Sequence, residues 1–202
     1  MSLENRLKIG VSFFAILLGC FFGGLLCEIL TIIHFLSILE VTIQISQASV
    51  ALPNKAKWFL CYILSIVPLS YIVFIYPPDT LLWTCFLVNG TNDSMQFLWG
   101  KYCPDWIFSN WKIGPVSPKK TFRGYLLGIL SSMFLLHQVV PLNYMVLFIM
   151  LVLASLGDLW MSFLKRRLGI KHYGTMLGSH GGITDRADSF LFSTPFLVFL
   201  FK

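Results

Sequence analysis

Apolar runs recur along almost the whole chain, and no other feature limits the fold so severely. They can be marked at about residues 9–22, 25–45, 58–76, 81–99 and 122–140, then from the Pro141 turn to about 164, and finally at 189–201. A bilayer core of about 30 Å takes roughly 20 helical residues per crossing. Segments of this length therefore predict an all-α, polytopic integral membrane protein with six to seven transmembrane helices. Composition agrees: 56% of residues are hydrophobic, 12% are charged and mean hydropathy is +0.77. Soluble domains carry about 25% charged residues.

Punctuation between the runs sets the expected boundaries. Gly23 and Gly24 make a tight reversal. Pro53, Lys55 and Lys57 mark a polar connection, and Pro77-Pro78 end the third run. Asn89 and Gly90 are poor helix formers, so the fourth helix is expected to loosen there. The chain is expected to form one membrane domain over 1–202, with helices in 1–90 and the chemistry-bearing region in 91–202. The first apolar run follows Arg6 and Lys8 but has no A-x-A-like site, so no cleaved signal peptide is expected.

A net charge of +6 in a chain this apolar reports topology before it reports nucleic acid, and no nucleic-acid partner is expected. With a cytoplasmic N-terminus, Arg6, Lys8, Lys55, Lys57, Lys101, Lys112, Lys119, Lys120, Arg123, Lys165, Arg166, Arg167, Lys171 and Arg186 all fall inside. Of the 15 basic residues only Lys202 falls outside. The expected setting is an inner membrane or its equivalent, with the polar site facing the cytoplasm. The sequons at Asn89 and Asn92 then lie toward the cytoplasm, where glycosylation is not expected. The five cysteines lack CxxC spacing and are expected to be buried thiols.

Ionisable residues inside apolar segments are expensive and mark function. Asp158 lies in the sixth segment, about two turns below Lys165, Arg166 and Arg167. Asp93 lies in the fourth, at a similar depth below Lys101. Two carboxylates at one depth predict a polar cavity open to the cytoplasm. In "GPVSPKKTFRG", Lys119 and Lys120 precede Thr121 at an expected helix start, a natural phosphate site. In "GSHGGITDRADSF", glycines permit close backbone approach, and Asp185 and Asp188 are three residues apart. Carboxylates without a His/Cys ligand set suit a hard cation such as Mg²⁺, with a second cation left open. Acid for metal beside Lys and Arg for phosphate is the layout of phosphoryl or nucleotidyl transfer. No internal repeat of the kind that transporters use is seen.

These residues, taken together, resemble the phosphatidate cytidylyltransferases (CDP-diacylglycerol synthases). The family's C-terminal signature appears as Ser162, Lys165-Arg166, Lys171, His180-Gly181-Gly182, Asp185-Arg186 and Asp188, preceded by Gly157-Asp158. Ser117 to Thr121 with Gly124 is similar to its second motif, and Asn92-Asp93 to its "ND". The likeness covers about half the chain. His172 stands where the family usually has Asp, Arg123 where it usually has an acid, and "SMQFLWG" departs from its aromatic stretch. The chain is also shorter than typical bacterial members. The resemblance implies transfer of a cytidylyl group from CTP to phosphatidate, or to another lipid phosphate, at the membrane surface. It implies Mg²⁺ on Asp158, Asp185 and Asp188, with Asp93 as a further ligand. Lys119, Lys120, Lys165, Arg166 and Arg186 would bind phosphates. Ser117, Thr121, Lys171, His180, Gly181 and Gly182 would support substrate binding. A homodimer and a non-catalytic lipid- or nucleotide-binding homologue remain open.

Overall fold

The computed structural model describes residues 19, 22–75, 79–104, 111–114, 117, 120–174 and 181–201. Their regular structure is helical: α1 (Leu26–Gln47), α2 (Leu52–Ile75), α3 (Asp79–Tyr102), α4 (Phe122–His137), α5 (Tyr144–Arg167), α6 (Thr184–Ala187) and α7 (Phe190–Leu200). One isolated antiparallel bridge, Lys112 to Thr121, is the sole β feature among the described residues. The first apolar run, residues 9–22, lies almost wholly outside them.

Two sequence expectations, one about a helix start and one about a break within a helix, are corrected. Pro53, Lys55 and Lys57 lie inside α2, not in a connection before it. Proline is tolerated in a first turn because its missing N–H would have no helical partner there. Lys55 Nζ donates to Ser46 O at 2.8 Å, tying the start of α2 to the end of α1. The expected loosening at Asn89-Gly90 is absent, and α3 runs unbroken from 79 to 102. Asn89 Nδ2 donates to Cys85 O at 2.7 Å, and its Oδ1 accepts the Ser193 hydroxyl at 2.9 Å. With those polar atoms satisfied, the buried amide no longer competes for helix backbone. Asn89 and Asn92 are fully buried, so neither sequon is accessible. Cys85 and Cys103 are buried and Cys61 is half-buried.

α3 packs most extensively on α4, and α7 lies across α5, α2 and α3. Small residues permit the first contact. A Cβ on Gly128 would sit 2.8 Å from the Gln96 backbone nitrogen, and one on Gly124 3.0 Å from Gln96 O. This four-residue spacing of glycines lets two helix backbones approach closely. Polar side chains then lock α3 to α5. Gln96 Nε2 donates to Ser155 Oγ at 2.6 Å, and Asn92 Nδ2 to Leu151 O at 3.2 Å. One apolar core gathers Val41, Tyr62, Met161, Leu164 and Tyr173, and a second gathers Val88, Leu147, Met150, Leu151 and Leu197.

The burial pattern of α1 is inverted relative to a water-facing helix. Ile32, Phe35, Leu39 and Ile43 are exposed, Phe35 by 64%, whereas His34, Ser37 and Glu40 are buried, Glu40 to 5%. Among the described residues α5 is the one helix both long and apolar enough to cross a membrane. α4, α7 and residues 31–47 are apolar but shorter.

Candidate active site

Four elements meet where α5 ends and α6 begins. The first is the turn before α4. Ile113 N–H donates to Lys120 O at 3.0 Å, Phe122 N–H to Trp111 O at 2.8 Å, and Lys120 N–H to Ser117 O at 3.1 Å. Thr121 caps α4, its Oγ1 accepting the Gly124 N–H at 3.2 Å, which is the helix start expected from the sequence. The pinned turn aims Lys120 at α5, where its ammonium pairs with Asp158 Oδ2. The Tyr125 hydroxyl donates to the same oxygen at 3.3 Å. Burial pushes the Lys120 ammonium down to about 8, while the nearby Asp188 and Asp93 charges pull it upward.

The second constellation is at the end of α5. Lys165 is buried, and its Nζ donates to Asp185 Oδ1 at 2.8 Å and lies 3.7 Å from Asp188 Oδ2. Asp185 Oδ2 accepts the Gly182 N–H at 2.9 Å and the Tyr173 N–H at 3.2 Å, with His172 Nδ1 at 3.5 Å. Burial raises the Asp188 carboxyl above the usual range, against the opposing pull of Lys165 and Lys120. From α3, Asp93 Oδ2 accepts the Ser189 hydroxyl at 3.3 Å and is near enough to Asp188 for their charges to repel. Gly157 makes this convergence feasible: a Cβ there would lie 2.6 Å from Asp188 O.

Asp93, Lys120, Asp158, Lys165, Asp185 and Asp188 thus form one cluster, although Asp93 and Ser189, whose side chains meet beside it, are 96 positions apart in sequence. Other candidates fall at its edge or elsewhere. Arg166 points to Ile170 O at 3.4 Å. Lys171 and Arg186 are exposed, although the Arg186 charge is felt at Asp93. Ser117 and Thr121 spend the contacts described above on the turn and the cap. Gly181 has φ 87°, a left-handed conformation that favours glycine. Gly182 presents its N–H to Asp185. Lys119 and His180 lie outside the described residues. Arg123 is buried on α4.

Two participants were missed from sequence. Tyr125 has no sequence signal beyond its apolar helix. Glu40, whose carboxyl accepts the Ile183 and Thr184 N–H groups beside Asp185, has one: it is an acid inside an apolar segment, the same criterion that singled out Asp93 and Asp158.

Among the described residues, no three His, Cys, Asp or Glu side chains stand close enough to make a ready-built metal ligand set. The donor chemistry nevertheless fits Mg²⁺. Four carboxylates face two ammoniums in the cluster, an excess of two negative charges when all are ionised, with the Arg186 charge reaching Asp93 from the edge. Mg²⁺ characteristically keeps several waters and takes only one or two protein carboxylates plus substrate phosphates. A bound anion would also require that excess negative charge to be neutralised.

Comparison with known proteins places the chain in context. The model of the family described as "Cytidylyltransferase family" matches residues 3–202. A phosphatidate cytidylyltransferase of Rickettsia felis is 32% identical over 153 residues, covering 66% of this chain and 65% of that protein. One from Bacillus subtilis is 37% identical over 130 residues, covering 59% and 46%. An uncharacterized Escherichia coli protein, YnbB, is 34% identical over 124 residues, covering 57% and 40%. The aligned region therefore spans less than two thirds of each of these relatives.

Proposed function

The chain belongs to the cytidylyltransferase family, and from that premise we propose that it transfers a cytidylyl group from CTP to a lipid phosphate, phosphatidate being the first candidate. A phosphate oxygen of the lipid attacks the α-phosphorus of CTP. The bond from that phosphorus to the oxygen bridging the α- and β-phosphates breaks, and pyrophosphate leaves with the electron pair. The products are CDP-diacylglycerol and pyrophosphate. The nucleophile is already an anion, so no strong general base is needed, and positioning plus charge neutralisation supply the rate.

The observation that carries this reading is the cluster of two lysines and four aspartates at one end of helices with apolar outer faces. Lys120 and Lys165 would bind phosphate oxygens, joined by Arg166 and Arg186 at the rim and by Lys119, which lies outside the described residues. Asp158 and Asp188 would hold Mg²⁺, directly or through water, with Asp93 and Asp185 beside them, and the ion would neutralise triphosphate charge. Asp185 also keeps Lys165 and the Gly182 backbone in place. The test is direct. Purified protein given labelled CTP, Mg²⁺ and a panel of lipid phosphates is expected to yield a labelled CDP-lipid with phosphatidate. Binding of CTP with no product from any lipid phosphate would favour a non-catalytic homologue.

The same reading makes the protein a polytopic one, with the helices around α5 spanning the bilayer, the N-terminus cytoplasmic and the cluster at the cytoplasmic surface. It is supported by the exposed apolar faces of α1, α2 and α4 and by the buried polar residues behind them. Single cysteines replacing exposed Lys112 and Lys171 in a cysteine-free background should react with an impermeant maleimide only after the cytoplasmic side is opened. Labelling of either position in intact cells would reverse the orientation.

A further inference from the structure

The acidic loop is held from outside the region that carries the sequence motifs, by a residue on α1. Glu40 Oε2 accepts the Thr184 N–H at 2.9 Å, and Glu40 Oε1 accepts the Ile183 N–H at 3.3 Å. These are N–H groups at the start of α6, which have no helical partner of their own. One turn earlier on α1, Ser37 continues the grip. Its Oγ lies 3.0 Å from Thr184 Oγ1 and 3.2 Å from the Tyr62 hydroxyl, and its carbonyl accepts the Thr184 hydroxyl at 3.3 Å. The carboxylate also fills space that only glycine leaves. A Cβ on either Gly174 or Gly182 would collide with the Glu40 carboxyl group. Gly182 in turn gives its N–H to Asp185, and α6 carries Asp185 one residue after Thr184 and leads into Asp188.

We propose that Glu40 is a positioning residue for the reaction, clamping the start of α6 so that Asp185 and Asp188 are presented to the metal and phosphate groups. It rests on the proposed function for its kinetic consequence, but the clamp itself is a property of the fold. Glu40 touches no reacting atom. It acts through the Ile183 and Thr184 amides, and an amide in its place would set an N–H₂ against one of those two N–H groups. Orienting partners of this kind characteristically alter metal affinity or activity by about 10- to 100-fold.

The test compares wild type, Glu40→Gln and Glu40→Asp, the last keeping the charge but drawing it back by one methylene. Three readouts are taken: hydrogen exchange of the 181–186 peptide, Mn²⁺ binding followed by electron paramagnetic resonance, and CTP-dependent turnover. The expected result for Glu40→Gln is a folded protein with unchanged exchange in α5 and exchange at 181–186 at least about 10-fold faster. Mn²⁺ affinity and kcat should each fall by about 10- to 100-fold, with the KM for lipid unchanged. Unchanged exchange at 181–186 overturns the clamp. Faster exchange with unaltered Mn²⁺ affinity and kcat overturns the positioning role and leaves a structural contact. If neither variant folds, Glu40 is a residue of the fold alone and the proposal is overturned. A wild type inert towards CTP and lipid phosphates sinks the proposed function by itself. In that event exchange and Mn²⁺ affinity still decide for or against Glu40.

Discussion

Asp188→Asn is expected to lower CDP-lipid formation by about 100- to 1,000-fold in a protein that remains folded. The reason lies in how Asp188 is placed. It stands between Lys165, 3.7 Å away, and the Asp93 carboxylate, at the junction where α6 meets α7. Burial raises its carboxyl, so the charged form is held at a cost that a bound cation would offset. Asparagine keeps the shape and relieves that cost, so the fold should survive. It also removes one charge from the side that would hold Mg²⁺, and such electrostatic contributions amount to several kcal/mol in the transition state. Each ~1.4 kcal/mol is tenfold in rate. The check is turnover against Mg²⁺ concentration, with a melting curve in detergent beside it. Turnover near the wild-type level at limiting Mg²⁺ would remove Asp188 from the metal set.

Asp158→Asn separates a catalytic from a structural use of the second carboxylate. Asp158 pairs with Lys120 and accepts the Tyr125 hydroxyl at 3.3 Å. The Lys120 and Asp158 side chains are 27% and 20% exposed, a partly buried pair, so loss of the carboxylate is expected to cost on the order of 1–3 kcal/mol of stability. Lys120 also retains the neighbouring Asp93 and Asp188 charges. If the pair only stitched the turn before α4 to α5, activity would follow that change in stability. With Asp158 in the metal and phosphate site, turnover should fall by about 100-fold or more, and added Mg²⁺ should restore little of it. Lys120→Met is the companion. It removes a phosphate-binding charge, so the KM for CTP should rise, whereas Asp158→Asn should act mainly on kcat. A stable Asp158→Asn protein with undiminished turnover would assign the pair to structure.

Much of the helical layout was legible in sequence because it follows from local physics. Apolar run length gave α1, α3, α4, α5 and α7 to within a few residues, and the Thr121 cap followed from its side chain and position. Where local signals misled, tertiary contacts had changed their meaning. Asn89 reads as a helix breaker until the Ser193 hydroxyl donates to its Oδ1 across the bundle at 2.9 Å. Pro53 reads as a loop until Lys55 fastens the first turn of α2 to Ser46. Of the expected crossings, α5 alone meets both length and apolar composition among the described residues.

The sequence by itself determined the ingredients of the site: which residues carry charge, that Asp93 and Asp158 lie about two turns inside apolar segments with the other charges in the flanking loops and helix ends, and that carboxylates and lysines occur together. Charge and hydropathy are properties of residue type and order, so they survive without coordinates. Only the tertiary structure decided the pairing. Lys165 could have served Asp158, seven residues back on its own helix, yet it turns to Asp185 and Asp188, and Asp158 takes Lys120 from another element. The close approach at Gly157 and the packing of α5 on α7 place those partners, and no spacing within one segment encodes a distance between two. Glu40 shows the same limit. Its charge in an apolar run is plain in the sequence, but its partners, the Ile183 and Thr184 amides, lie 143 and 144 residues away. A long-range hydrogen bond of that kind exists only once α1 and α6 have packed.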